Sequence, residues 1–151
     1  MSYRIGRGEQ GVLTFEPYKS SILPLWRFKT PAIARQSSRQ IYDKFEEYDG
    51  QGDFVGMDMC RKFLQMGMTR AMRYANHAGG RKYDKVTREE LEKSHGHNDA
   101  KEKLEAALIF RETWERAKKH AGYLEKKERF QIEQKEWDKE KRKEAKKCEG
   151  S

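Results

Sequence analysis

Cations and aromatic rings alternate along the first part of this chain. Arg4, Arg7, Lys19, Arg27 and Lys29 are interleaved with Tyr3, Tyr18, Trp26 and Phe28, and a later helix adds Arg61, Lys62, Arg70 and Arg73 before Arg81-Lys82. Guanidinium and ammonium groups neutralise phosphates, and aromatic faces stack on unpaired bases. The mixture therefore points to nucleic acid or another polyanion, with Arg7, Arg27, Lys29, Arg70, Arg73, Arg81 and Lys82 as candidate phosphate contacts. The competing reading makes the rings core and the cations ordinary solvated surface. No helix-turn-helix, zinc-finger or RNA-recognition signature accompanies the pattern.

Other residue groups suggest other chemistries. Gly6-Arg7-Gly8-Glu9-Gln10-Gly11 offers successive backbone N–H groups to an anion, but it matches neither GxGxxG nor GxxxxGK[ST] and no helix opens directly after it. Gly79-Gly80-Arg81-Lys82 follows a helix C-terminus, whose dipole repels phosphate. His77, beside Asn76 and near Arg73, is the candidate general base; the alternative is an imidazole bonded to the last helix carbonyls. Cys60 has no evident His partner and reads as a buried thiol. His95-Gly96-His97 with Asp99 lacks metal-ligand spacing, whereas Asp49, Asp53 and Asp58 around Gly50 to Gly52 are a candidate magnesium cluster for a nuclease. Glu46-Glu47 and Glu89-Glu90 are adjacent on helices and diverge. No cofactor is implied.

The elements that must position these groups are legible from caps and periodicity. Tyr3-Arg4-Ile5 and Val12-Leu13-Thr14-Phe15, separated by three glycines in six residues, read as a short β-hairpin. Residues 16–29 are apolar without period and read as an irregular segment across the core. Thr30-Pro31 announces a helix to about Tyr48 that buries Ala34, Ile41, Phe45 and Tyr48. Asp53 caps a second helix to about His77. On it Cys60, Phe63, Leu64, Gly67, Ala71, Tyr74 and Ala75 form a core face, and Asp58, Lys62, Gln65, Thr69, Arg73 and Asn76 a wet one. Gly67, in the middle of the core face, implies another backbone passing close by. Ala107, Phe110, Trp114, Ala117, Ala121 and Leu124 then form the stripe of a docked helix.

The resulting expectation is an α+β, mostly helical fold: a hairpin on a bundle of long helices, with residues 1–124 as one compact domain and 125–151 as a charged, exposed helical tail. The chain has 33 Lys plus Arg against 25 Asp plus Glu in 151 residues, a net charge of +8. Most of that excess lies before residue 86; the last third is denser in charge, but its signs nearly cancel. No run of 18 apolar residues occurs and the N-terminus lacks an apolar leader core, so a cytoplasmic protein without a membrane partner is expected. Cys60 and Cys148 form no disulfide framework.

Several strings in order, Tyr3-Arg4-Ile5-Gly6-Arg7-Gly8-Glu9-Gln10-Gly11-Val12, Glu16-Pro17-Tyr18-Lys19-Ser20, Trp26-Arg27-Phe28-Lys29-Thr30-Pro31, Asp53-Phe54-Val55-Gly56-Met57-Asp58, Arg61-Lys62-Phe63-Leu64-Gln65-Met66-Gly67, Arg73-Tyr74-Ala75-Asn76-His77 and Gly79-Gly80-Arg81-Lys82-Tyr83, resemble a small uncharacterised family catalogued as a domain of unknown function. The resemblance is dense over residues 3 to about 84 and looser around Ile109-Phe110-Arg111-Glu112-Thr113-Trp114. It implies no activity. Chemistry therefore favours a cytoplasmic polyanion-binding protein over two alternatives: a small enzyme or phosphate-ligand protein using the glycine loops and His77, and a protein-interaction module using the C-terminal helices.

Overall fold

The computed structural model describes residue 3, residues 15–77 and residues 100–149. These form α1 (Tyr18–Ile22), a single 3-10 turn (Leu23–Leu25), α2 (Pro31–Gly50), α3 (Phe54–Asn76), α4 (Ala100–Lys119) and α5 (Ala121–Glu149). The segment expected to be irregular is thus largely helical up to Leu25.

Local chemistry sets the helix ends. Thr30 Oγ1 accepts from the Ile33 N–H at 3.2 Å, with Pro31 in the first turn, so α2 begins where the sequence places it. It ends in a Schellman arrangement: the Asp53 N–H reaches the Tyr48 carbonyl at 2.9 Å and the Gly52 N–H reaches Asp49 at 3.0 Å. Gly52 has φ +70°, which a side chain would strain. Asp53 then caps α3 through the Gly56 N–H at 3.1 Å.

Contacts along the helices fix the topology. Lys103 meets Lys29, Glu105 pairs with Arg35, Arg116 lies over Tyr42, and His120 meets Phe45 edge-on, so α4 runs parallel to α2. The α3 helix runs antiparallel to both: Gly67 faces Phe110, and Tyr74 near its end meets Lys103 near the start of α4. After a one-residue break at His120, whose Nδ1 accepts from the Tyr123 N–H at 3.3 Å, α5 crosses the end of the bundle where α2 stops and α3 starts. There Tyr123 packs on Phe45 and Phe54, Phe130 on Phe54, and Lys126 pairs with Asp49 at 2.6 Å. Ala34, Ile41, Phe45 and Tyr48 are buried as expected, with Cys60, Phe63, Leu64 and Phe110 at the centre of the core.

Four expectations are corrected. The α+β class gives way to an all-α fold, since the described residues are helical and include no strand. Residues 4–14 of the expected hairpin lie outside the described residues. Its two ends, Tyr3 and Phe15, meet edge-on at 5.0 Å as rings packed on the helical core, so apolar burial against helices, and no strand pairing, holds them. The nearest neighbour of Gly67 is an aromatic ring and not a backbone: a Cβ there would lie 2.6 Å from Phe110 Cδ1. Asp58 and Lys62 are buried, because α5 and Tyr3 cover the α3 face that periodicity assigned to solvent. Finally, the stripe on the last helices does not hold to Leu124, which is half exposed; beyond the break at His120 burial passes to Tyr123 and Phe130. Among the described residues no helix is long and apolar enough to cross a membrane.

Candidate nucleic-acid interface

The end of the bundle opposite α5 gathers the starts of α2 and α4 and the end of α3. Ser37, buried on α2, clamps the incoming chain: its Oγ donates to the Leu25 carbonyl at 2.7 Å and accepts from the Arg27 N–H at 2.9 Å. Residues 26–29 are thereby held against the first turns of α2. Trp26 packs on Phe63 and Phe28, with centroids 6.0 and 5.1 Å apart, and the Arg70 guanidinium lies 5.3 Å from the Trp26 ring. Phe28 and Tyr74 stand 6.1 Å apart, tilted by 44°. Lys103 Nζ donates to the Lys29 carbonyl at 2.7 Å and lies 5.9 Å from the Phe28 centroid and 5.5 Å from that of Tyr74.

These side chains line a cleft of about 410 Å³ formed by Arg27, Phe28, Lys29, Ile33, Tyr74 and Lys103. Three cations and two rings face it, and among the described residues no carboxylate lines it. Among the described residues, Arg27, Lys29, Arg70, Arg73 and Lys103 make no ion pair. Ile33 and Lys103 belong to the first turns of α2 and α4, whose partial positive ends reinforce the field. Two larger clefts differ in sign. One of about 490 Å³ between α2 and α4 sets Arg35, Arg39 and Arg116 against Asp43, Glu46 and Glu112. The other, of about 590 Å³, sets Lys126 and Arg129 against Asp53 and Glu133.

Of the candidate phosphate contacts, the structure brings Arg27 and Lys29 together in the cleft and places Arg70 on Trp26 beside it, with Arg73 exposed in the last turns of α3. Arg7, Arg81 and Lys82, both glycine loops, and the His95, His97 and Asp99 group lie outside the described residues. His77 follows α3, its backbone N–H closing on the Arg73 carbonyl at 2.9 Å; the ring is buried, and its Nδ1 has no hydrogen-bond partner among the described residues. Lys103 was missed because one lysine among the many on α4 carries no signal in sequence. Tyr74, assigned to the core, is 38% exposed and faces the cleft. Its spacing fits the core face, but it lies at the end of α3, where neighbouring helices no longer cover it.

A second cluster is buried near the opposite end. Asp58 accepts from the Tyr3 hydroxyl, from the Tyr123 hydroxyl at 2.7 Å and from Arg61 Nε at 2.8 Å, and Lys62 Nζ lies 3.8 Å away and 4.5 Å from the Tyr3 ring. Burial works to raise the Asp58 carboxyl, but the adjacent Arg61 charge, reinforced by the two phenols, outweighs it and holds the group below its ordinary value. Burial, with the carboxylate beside them, pushes both phenols upward, and burial depresses the Lys62 ammonium against the opposing pull of Asp58. Arg61 and Lys62 thus serve the core, not the basic surface. Asp49 is paired with Lys126 and Asp53 caps α3, so the three aspartates weighed as a candidate magnesium cluster are engaged separately. Among the described residues no three His, Cys, Asp or Glu side chains are grouped to hold a metal. Cys60 is fully buried, and burial raises its thiol well above the ordinary range.

Fold and site together define a small all-α protein with a basic, aromatic cleft at one end of its bundle. The model of one family, described as a domain of unknown function (DUF4385), matches residues 1–145, and the chain belongs to that family. No curated protein and no solved structure matches it.

Proposed function

We propose that the protein binds nucleic acid through the cleft end of its bundle. Arg27, Lys29 and Lys103 contact phosphates at the cleft, Arg70 and Arg73 extend the track along α3, and Arg7, Arg81 and Lys82 add the remaining cations of the sequence pattern. The observation that carries this reading is the cleft itself, whose described lining holds three cations and two rings and no carboxylate. Cations clustered without acid partners are costly to fold together and gain most when a polyanion neutralises them. The Arg70 guanidinium lies over the Trp26 indole, 5.3 Å from its centroid, and a guanidinium can meet a phosphate with two N–H groups.

Fluorescence anisotropy with labelled single-stranded DNA, duplex DNA and RNA, at about 50 and about 200 mM salt, tests it. Micromolar or tighter binding that weakens steeply with salt, and weakens further in Arg70→Glu/Arg73→Glu, is the expected result. Both arginines are at least partly exposed, so the variant leaves the core intact. Undetectable or salt-independent binding overturns the proposal.

A further inference from the structure

We propose that the last turns of α5 form a second contact surface, separate from the cleft, that lies along the phosphate backbone of duplex nucleic acid. The inference rests on the proposal above for its ligand class alone. Every side chain from Lys139 to Cys148 is exposed, and the stretch from Lys139 to Lys147 holds six cations against Glu140 and Glu144. The signs are sorted by face. Lys135, Lys139, Arg142, Lys143, Lys146 and Lys147 recur at spacings of three and four, which places them on one side of the helix. Glu133, Glu136, Glu140 and Glu144 recur at the same spacings and fall on another side.

A charged helix that only has to stay solvated gains from opposite charges four residues apart and loses from like ones. Here Lys135, Lys139, Lys143 and Lys147 follow one another at that interval, and so do Glu136, Glu140 and Glu144. Glu also precedes Lys by three residues, but among the described residues none of these side chains closes an ion pair. The helix dipole accounts for Lys146 and Lys147 in the last turn, but not for a stripe that reaches back to Lys135. A polyanion supplies the missing neutralisation. Six cations over about 18 Å of helix stand about 3.6 Å apart along its axis, close to the roughly 3.4 Å rise per phosphate on one strand of a duplex. With the glutamates on another face, the stripe meets phosphates without bringing carboxylates against them. A lipid surface fits less well, because Ala145 and Cys148 are the only apolar side chains after Trp137 and leave no apolar face to bury.

The test measures binding of the full chain to a labelled duplex of about 30 base pairs, by anisotropy at several salt concentrations. Arg142→Gln/Lys143→Gln/Lys146→Gln is expected to weaken binding at least about tenfold and to take about 2.7 from the logarithmic salt slope. The charge-matched Arg111→Gln/Lys119→Gln/Lys141→Gln variant, whose three cations are exposed but lie off the stripe, is expected to bind as the wild type does. Equal losses in the two variants reduce the stripe to a share of the net charge and overturn the inference. An unaltered slope in the stripe variant overturns it too, and leaves the cleft to be judged by Arg70→Glu/Arg73→Glu. Loss in the stripe variant with none in Arg70→Glu/Arg73→Glu upholds the stripe and overturns the cleft. Vesicles of mixed anionic and neutral phospholipid that displace the duplex overturn nucleic acid as the occupant. Absence of duplex binding overturns the stripe, whatever single strands do at the cleft.

Discussion

Asp58 is where single atoms decide the stability of this molecule. Four groups from three parts of the chain converge on one carboxylate: Tyr3, Tyr123, and Arg61 with Lys62. Replacing it by Asn removes the carboxylate that faces two buried cations, and such broken pairs cost about 3–5 kcal/mol. Urea unfolding of Asp58→Asn should show a loss of that size. Tyr123→Phe removes one hydrogen bond to a charged acceptor, for which about 1.5–3 kcal/mol is expected. The pH dependence follows from the directions. A carboxyl held below its ordinary value of 3.8 contributes stability that is complete above that value and lost as pH falls through the folded-state value. The phenols of Tyr3 and Tyr123, raised above 10.0, contribute stability that is complete below pH 10 and lost as pH rises beyond it. Acid unfolding followed by circular dichroism should therefore move to higher pH in Tyr123→Phe, because Asp58 loses a donor that depresses it.

At the scale of elements, glycine environments give opposite predictions. A Cβ on Gly67 would lie 2.6 Å from the Phe110 ring, and one on Gly56 2.4 Å from Tyr48 Cγ. Each Gly→Ala should destabilise by about 1–3 kcal/mol. For Gly67→Ala, Phe110→Leu in the same chain should recover part of the loss in a double-mutant cycle. Gly50, at the end of α2, has nothing within 4 Å of its added Cβ and no positive φ, so Gly50→Ala should stabilise by about 0.4–1 kcal/mol in the same assay. These elements also show what the sequence made legible. Thr30-Pro31 and Asp53 announced their helices because capping is local, set by atoms within a few residues. Arg27 and Lys29 were found because they sit in a compact cation–aromatic string. Asp58, Lys62 and Tyr74 were misassigned for one common reason. A helical period reveals one buried face, whereas α3 is covered on a second side by α5 and Tyr3 and left open at its end. The opening strands failed differently: three glycines in six residues signal a reversal between two short runs, but the rings of Tyr3 and Phe15 join a core already built by helices.

For the whole molecule, charge and burial are distributed by end. Arg27, Lys29 and Lys103 gather where α2 and α4 start, and the crossing of α5 seals the other end. A chain ending after Lys139 removes only residues that are exposed through Cys148, and its thermal midpoint should match the full chain. A chain ending after Leu124 loses Phe130, whose ring lies 5.0 Å from Phe54 and 6.0 Å from Tyr3, and also the bond from Gln134 to the Tyr3 carbonyl. That truncation should cost at least about 3 kcal/mol. Binding of a single strand should lose about 1.4 from its logarithmic salt slope when Lys29 and Lys103 are both neutralised. The stacking of Arg70 on Trp26 has one more consequence. The chain has three tryptophans, and Trp26 alone lies beside the cleft, whereas Trp114 is on α4 under Lys118 and Trp137 is far along α5. Indole emission responds to a displaced guanidinium or a nearby base, so the protein carries an optical reporter at its own cleft. A Trp26→Phe variant supplies the baseline against which any ligand's arrival can be read without a label.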